Sequence, residues 1–159
     1  MKGQGNRMQI FVDADAFPKD IQEIVFRAVE RVRIPLILVS NKNIRHPISE
    51  LISKITVTEG PDVADDKIVE LVLEGDLVIT ADIPLASRIV DKNAFAIDPR
   101  GELYNKTNIK HRLAMRDLMK ELRQEGEIMG GPRAFSGRNV QAFANELDKF
   151  LTKHCRKGK

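Results

Sequence analysis

A chain of 159 residues with 42% apolar content carries enough hydrophobic material for one domain with a full core. No window reaches the run of about 18 apolar residues that a membrane-spanning helix needs, and the start, MKGQGNR, lacks the apolar stretch of a signal peptide. A cytoplasmic protein with no membrane partner is therefore expected, and the single cysteine, Cys155, excludes an internal disulfide and a cysteine-built zinc site.

The net charge of +3 hides an asymmetry. Residues 1–99 carry 12 Lys/Arg against 16 Asp/Glu, a net of −4, whereas residues 100–159 carry 14 against 7, a net of +7. Carboxylates hold cations and Lys or Arg hold phosphates, so this division suits a metal-dependent enzyme acting on a polyanion. It equally suits two basic helices whose charged faces are merely solvated. With no Trp and one Tyr, a stacking platform for bases is not indicated.

In chain order, residues 1–7 are expected to be a disordered leader, 8–152 one domain, and 153–159 a frayed basic tail. Strands are expected at 9–12, 36–40, 54–58, 77–80 and 94–97, with a short one near 102–105. Helices are expected at 18–33, weakly at 47–53, and at 63–74 and 84–91. In the first of these, Ile21, Ile24, Val25, Ala28, Val29 and Val32 recur at helical spacing. A further helix over 108–124, capped by Thr107, shows Ile109, Leu113, Met115, Leu118, Met119 and Leu122 as its apolar residues. Ser136 can cap a last helix that carries Phe143, Leu147 and Leu151. Strands alternating with helices imply parallel pairing through right-handed crossovers, hence an α/β fold with a mainly parallel central sheet.

Ligands of open parallel sheets bind beyond the carboxyl ends of the strands. Here those positions are acidic: Asp13 and Asp15 follow the first strand, Asp62, Asp65 and Asp66 the third, Asp82 the fourth and Asp98 the fifth. Carboxylates gathered on one edge repel one another, and a divalent cation relieves that repulsion. Some have a purely structural alternative. Asp62 and Asp82 can cap the helices that follow them, and Asp98 before Pro99 reads as a turn residue. Asp13 has no helix starting at the next residue, which favours a functional role. The histidines His46, His111 and His154 stand apart, and no GxSxG, GxGxxG or GxxxxGK[ST] motif occurs.

Two chemistries use such an edge. In phosphodiester cleavage Asp13, Asp62 or Asp65, and Asp82 bind Mg²⁺ or Mn²⁺, which activates water. Asp15 then assists, Ser40, Asn41 and Thr80 meet the phosphate, and Arg133 and Arg138 hold a nucleic-acid backbone, RNA being the expected partner. In the alternative, Asp13 is a phosphatase nucleophile of the haloacid dehalogenase type with Asp15 as acid/base. Against it, Phe17 departs from that motif and the acids at 62–66 have no place in it. A third class is a cation-dependent nucleic-acid-binding module without turnover.

The segments VDADAFPKDIQEIVFRAVER, ILVSN, GPDVADDKIVELVLEGDLVITADIPLASRIV, DPRGELY, RLAMRDLMKELR and GGPRAFSGRNVQAF together resemble the bacterial YaiI/YqxD family, over nearly the whole chain from Met8 to Leu151. That family is similar to PIN-like domains. The resemblance implies a three-layer α/β/α sandwich and an acidic cluster in which Asp13 and Asp15, Asp62 and Asp65, and Thr80 and Asp82 match three successive motifs. The chain departs from the family pattern at Phe17, where cysteine is usual, and at Asp66, where asparagine is common.

Overall fold

The computed structural model describes residues 8–127 and 135–154. The expected leader and Arg133 lie outside them, as do residues 155–159 of the expected tail. Six strands form one sheet: β1 (Ile10–Asp13), β2 (Leu36–Ser40), β3 (Ile52–Thr56), β4 (Leu77–Ile79), β5 (Phe95–Ile97) and β6 (Leu103–Tyr104), in the order β3-β2-β1-β4-β5-β6. All pairs are parallel except β5 with β6. β1 is central and apolar because both its faces are covered, and Ile10, Phe11 and Val12 are at most 2% exposed.

The helices are α1 (Lys19–Val32), α2 (Val63–Leu71), α3 (Ile83–Asp91), α4 (Lys106–Gln124) and α5 (Gly137–His154). On one face of the sheet, Ile21, Val25 and Val29 of α1 and Phe143, Leu147 and Leu151 of α5 pack on Ile10, Val12, Leu36, Leu38 and Ile79. On the other, Ile68 of α2, Leu85 and Ile89 of α3 and Ile109 of α4 pack on Phe11, Val39, Val78 and Ala96. Each such side chain contributes about 1.5–3 kcal/mol on burial. The result is the expected three-layer α/β/α sandwich. The chain runs from β1 outward to β3 and then returns to the other side of β1 with β4. The strand order therefore reverses between β1 and β4, and the carboxyl ends at such a reversal are where open parallel sheets bind ligands.

Local differences from the expectation have physical causes. Residues 47–51 form no helix, and β3 starts at Ile52 because its backbone continues the ladder with Leu36. Helix α4 is capped by Asn105, not Thr107: the Asn105 side chain accepts from the amides of Thr107 and Asn108 at 2.9 and 2.8 Å, and Asn108 Oδ1 accepts from the Asn105 amide at 2.8 Å. The apolar residues of α4 divide between two faces. Ile109 is buried and Leu113 half-buried beside it, whereas Met115, Leu118 and Met119 are 38–46% exposed on the far side. α5 runs through His154, two residues into the expected tail, where its ring stacks on Phe150 with centroids 4.3 Å apart. Gly101 (φ +101°) is needed where the β5–β6 turn presses on α5, since a Cβ there would lie 2.7 Å from the Ala142 carbonyl carbon. Among the described residues no helix is long and apolar enough to cross a membrane.

Candidate functional site at the carboxyl edge

The acid that ends β1, Asp13, and the one in the turn after it, Asp15, serve different faces of the sheet. By strand alternation Asp13 shares the face of Phe11, the one covered by α2 and α3, and Thr80 shares that face from β4. The buried Thr80 hydroxyl donates to Asp13 Oδ2 at 3.0 Å and accepts from the Asp82 amide at 3.0 Å. Burial pushes the Asp13 carboxyl above its ordinary range; the Thr80 hydroxyl opposes this, and the charges of Asp82 and Asp15 add to it.

Asp65, in the first turn of α2, completes this side. Its carboxyl is pushed up to about 7, first by burial and then by the charges of Asp82, Asp13 and Asp62. Asp82, from a separate element, lies close enough that its charge is the largest influence on Asp65 after burial. Asp82 does also cap α3, accepting from the Leu85 amide at 3.0 Å, so its structural and site roles coexist on one side chain. Asp62 is exposed in a left-handed conformation (φ 65°) and makes no side-chain cap; its charge acts on Asp65 from the rim. Among the described residues, no group of three or more His, Cys, Asp or Glu is arranged to hold a metal ion. What the acids form is a close pair with Asp13 beside it.

Asp15 turns the other way. A single 3-10 turn, Ala14–Ala16, does begin directly after Asp13, contrary to expectation, although Asp13 makes no cap to it. The turn carries Asp15 toward β2, where Oδ1 accepts from the Ser40 hydroxyl at 2.5 Å and the Asn41 amide lies 3.2 and 3.1 Å from the two carboxylate oxygens. Ser40 is itself buried and accepts from the Lys42 amide at 2.8 Å. Ser40 and Thr80, both expected to meet substrate, are thus engaged by an acid and a backbone amide each.

The remaining expected residues separate from the pair. Asp66 forms an exposed ion pair with Arg88 at 2.9 Å. Asp98 is a turn acceptor, taking the Arg100 amide at 2.6 Å and the Tyr104 hydroxyl at 3.3 Å. Arg138 is exposed in the first turn of α5, in the layer opposite α2 and α3. Past the end of β5, the guanidinium of Arg100 lies 5.8 Å from the Phe135 ring centroid.

The family model described as "Uncharacterized BCR, YaiI/YqxD family" matches residues 11–153. The chain belongs to the YaiI/YqxD family. Relatives within it bear the name UPF0178 protein. That of Trichlorobacter lovleyi is 55% identical over 152 residues, covering 96% of this chain and 99% of the relative. That of Alkalilimnicola ehrlichii is 57% identical over 145 residues (91% and 98%). That of Sulfurimonas denitrificans is 52% identical over 147 residues (92% and 97%). Each of these matches covers at least 91% of this chain and 97% of the YaiI/YqxD relative, so the whole sandwich is the shared unit. No solved structure matches the chain.

Proposed function

We propose that this YaiI/YqxD protein is a PIN-like, cation-dependent phosphodiesterase acting on nucleic acid, with RNA as its substrate. One observation carries the reading: acids from three separate elements meet at the strand-order reversal, where burial first and then their mutual repulsion lift Asp65 to about 7. A pair of carboxyls with a third charge alongside does not suit a closed protein cage. It does suit Mg²⁺ or Mn²⁺, since magnesium is commonly held by one or two carboxylates and completes its shell with water and substrate phosphate. Asp65 and Asp82 would hold the ion, with the Asp13 charge alongside and Asp62 at the rim. When bound, it supplies a more acidic water and offsets charge on the phosphate.

The chain's own groups support the rest. Thr80 keeps an Asp13 oxygen turned toward β4. The low-polarity surroundings that raise Asp13 and Asp65 also strengthen any cation they bind. Lys42 follows β2 and Arg100 follows β5, so both belong to loops at the carboxyl edge, the side from which a phosphate backbone would approach. The phosphatase alternative needs Asp15 free as acid/base, and its engagement by Ser40 and Asn41 weighs against that.

The test combines Mn²⁺ calorimetry on native protein and Asp13→Asn with assays on single-stranded RNA and p-nitrophenyl phosphate. Cation binding weakened by Asp13→Asn, with cleavage of RNA but not of the monoester, is the expected result. Monoester turnover alone points to the phosphatase. Cation-dependent RNA binding without cleavage leaves a binding module.

A further inference from the structure

Among the described residues five large apolar side chains are exposed, and three of them, Met115, Leu118 and Met119, lie on α4. With the half-buried Leu122 they recur at i, i+3, i+4 and i+7 and form one stripe over the last turns of the helix. The stripe lies bare because α4 outruns its neighbour. α4 starts beside the end of α3, where Asn105 and Lys106 line a cavity together with Val90 and Asn93, and it packs against that layer through Ile109. At 1.5 Å per residue the 19 residues of α4 reach about twice as far as the 9 of α3. Every residue from Ala114 to Glu121 is consequently exposed.

The charges beside the stripe are sorted by sign. At 3.6 residues per turn, Arg112, Arg116 and Arg123 fall on one flank and Glu121 and Glu125 on the other. Arg112 and Arg116 are spaced i, i+4, as are Glu121 and Glu125, so each flank repels itself in a lone helix. Arg112 is held by Glu102 at 2.9 Å, whereas Arg123, Glu121 and Glu125 enter no ion pair among the described residues.

We propose that this stripe is the contact between two copies of the chain, their α4 helices side by side and pointing the same way about a two-fold axis. The basic flank of each helix then meets the acidic flank of the other, and Arg123 stands between Glu121 and Glu125 of the partner subunit, about 3 Å along the axis from each. An antiparallel pair would set Arg123 against Arg112 and Arg116 of the partner subunit, and the like charges oppose it. The stripe turns away from Ile109 and Leu113, which leaves the two sandwiches on the outer sides of the pair. Four apolar side chains are fewer than a permanent dimer buries, so the association is reversible. It requires neither a cation nor nucleic acid.

Sedimentation equilibrium of the full-length chain at low salt, from micromolar to near-millimolar concentration, tests this. The native protein is expected to pass from monomer to dimer. Leu118→Lys, Arg123→Glu and the double variant Glu121→Arg with Glu125→Arg should each weaken association at least about 10-fold. An equal mixture of the Arg123→Glu chain and the double variant should restore it, since every flank then meets its opposite. All these positions are exposed, so the fold is not at stake. A protein that stays monomeric throughout overturns the proposal, and so does a dimer unchanged by Leu118→Lys, which would be joined through another face. Tighter association of Arg123→Glu, or a mixture that stays dissociated, overturns it as well, because the flanks would then not meet as described.

Discussion

Two carboxyls at opposite edges of the sheet, the buried Asp76 and the half-buried Asp65, have the same chemistry and opposite company. Burial raises both. Around Asp76, at the amino edge, every other influence lowers the value again: Oδ1 accepts from the Gln9 amide at 3.0 Å and Oδ2 from the Leu73 amide at 2.9 Å. Around Asp65, at the carboxyl edge, every other influence raises it further, because the neighbours are Asp82, Asp13 and Asp62. An acid that meets amides joins β1 to the α2–β4 connection. An acid that meets acids must take up a proton or a cation.

The comparison breaks most visibly at Asp76. Asp76→Ala would leave the Gln9 and Leu73 amides without their acceptor and is expected to cost about 3 kcal/mol in urea unfolding. At the other edge the sign reverses: without divalent ions at pH 8, Asp65→Asn removes repulsion and is expected to raise Tm by roughly 2–4 °C. The pH dependence follows. Asp65 titrates near 7 folded against an ordinary 3.8, so the folded state holds the extra proton. The stability this proton lends is complete below about pH 3.8 and is lost as pH climbs through about 7. Urea midpoints across that range should fall with pH in the native protein, less so in Asp65→Asn, and recover when Mn²⁺ is added. The smallest effect is expected at Asp66, whose pair with Arg88 is exposed. Asp66→Ala should change stability by less than about 1 kcal/mol and leave Mn²⁺ affinity unaltered.

The sheet was legible because its central strands are continuous apolar runs with acids just past their ends; Ile10–Val12 and Leu36–Val39 could not be surface segments. The edge was harder to read. β3 mixes Ser53 and Lys54 with Ile52 and Ile55, since one side of an edge strand meets solvent, and its pattern merged with an apparent helix over 47–53. Within the candidate site, the grouping of Asp13, Asp65 and Asp82 was visible from topology alone. The divergence of Asp15 toward Ser40 was not, because it depends on a single 3-10 turn after β1. Neither was the direction of Asp66, which follows the third strand together with Asp62 and Asp65 and which Arg88, on α3, draws away. Asp76 gave no periodic signal at all: one acid before a strand becomes significant only when the Gln9 amide is seen opposite it.

The central claim, that acids of separate elements share one cation, is tested most directly by counting protons released on Mn²⁺ binding, by calorimetry in buffers of different ionisation enthalpy. With Asp65 titrating near 7, binding at pH 6 should expel about one proton, with release fading by pH 8.5 and lost in Asp65→Asn. Binding that expels no proton at pH 6, or no binding at all, would contradict the account.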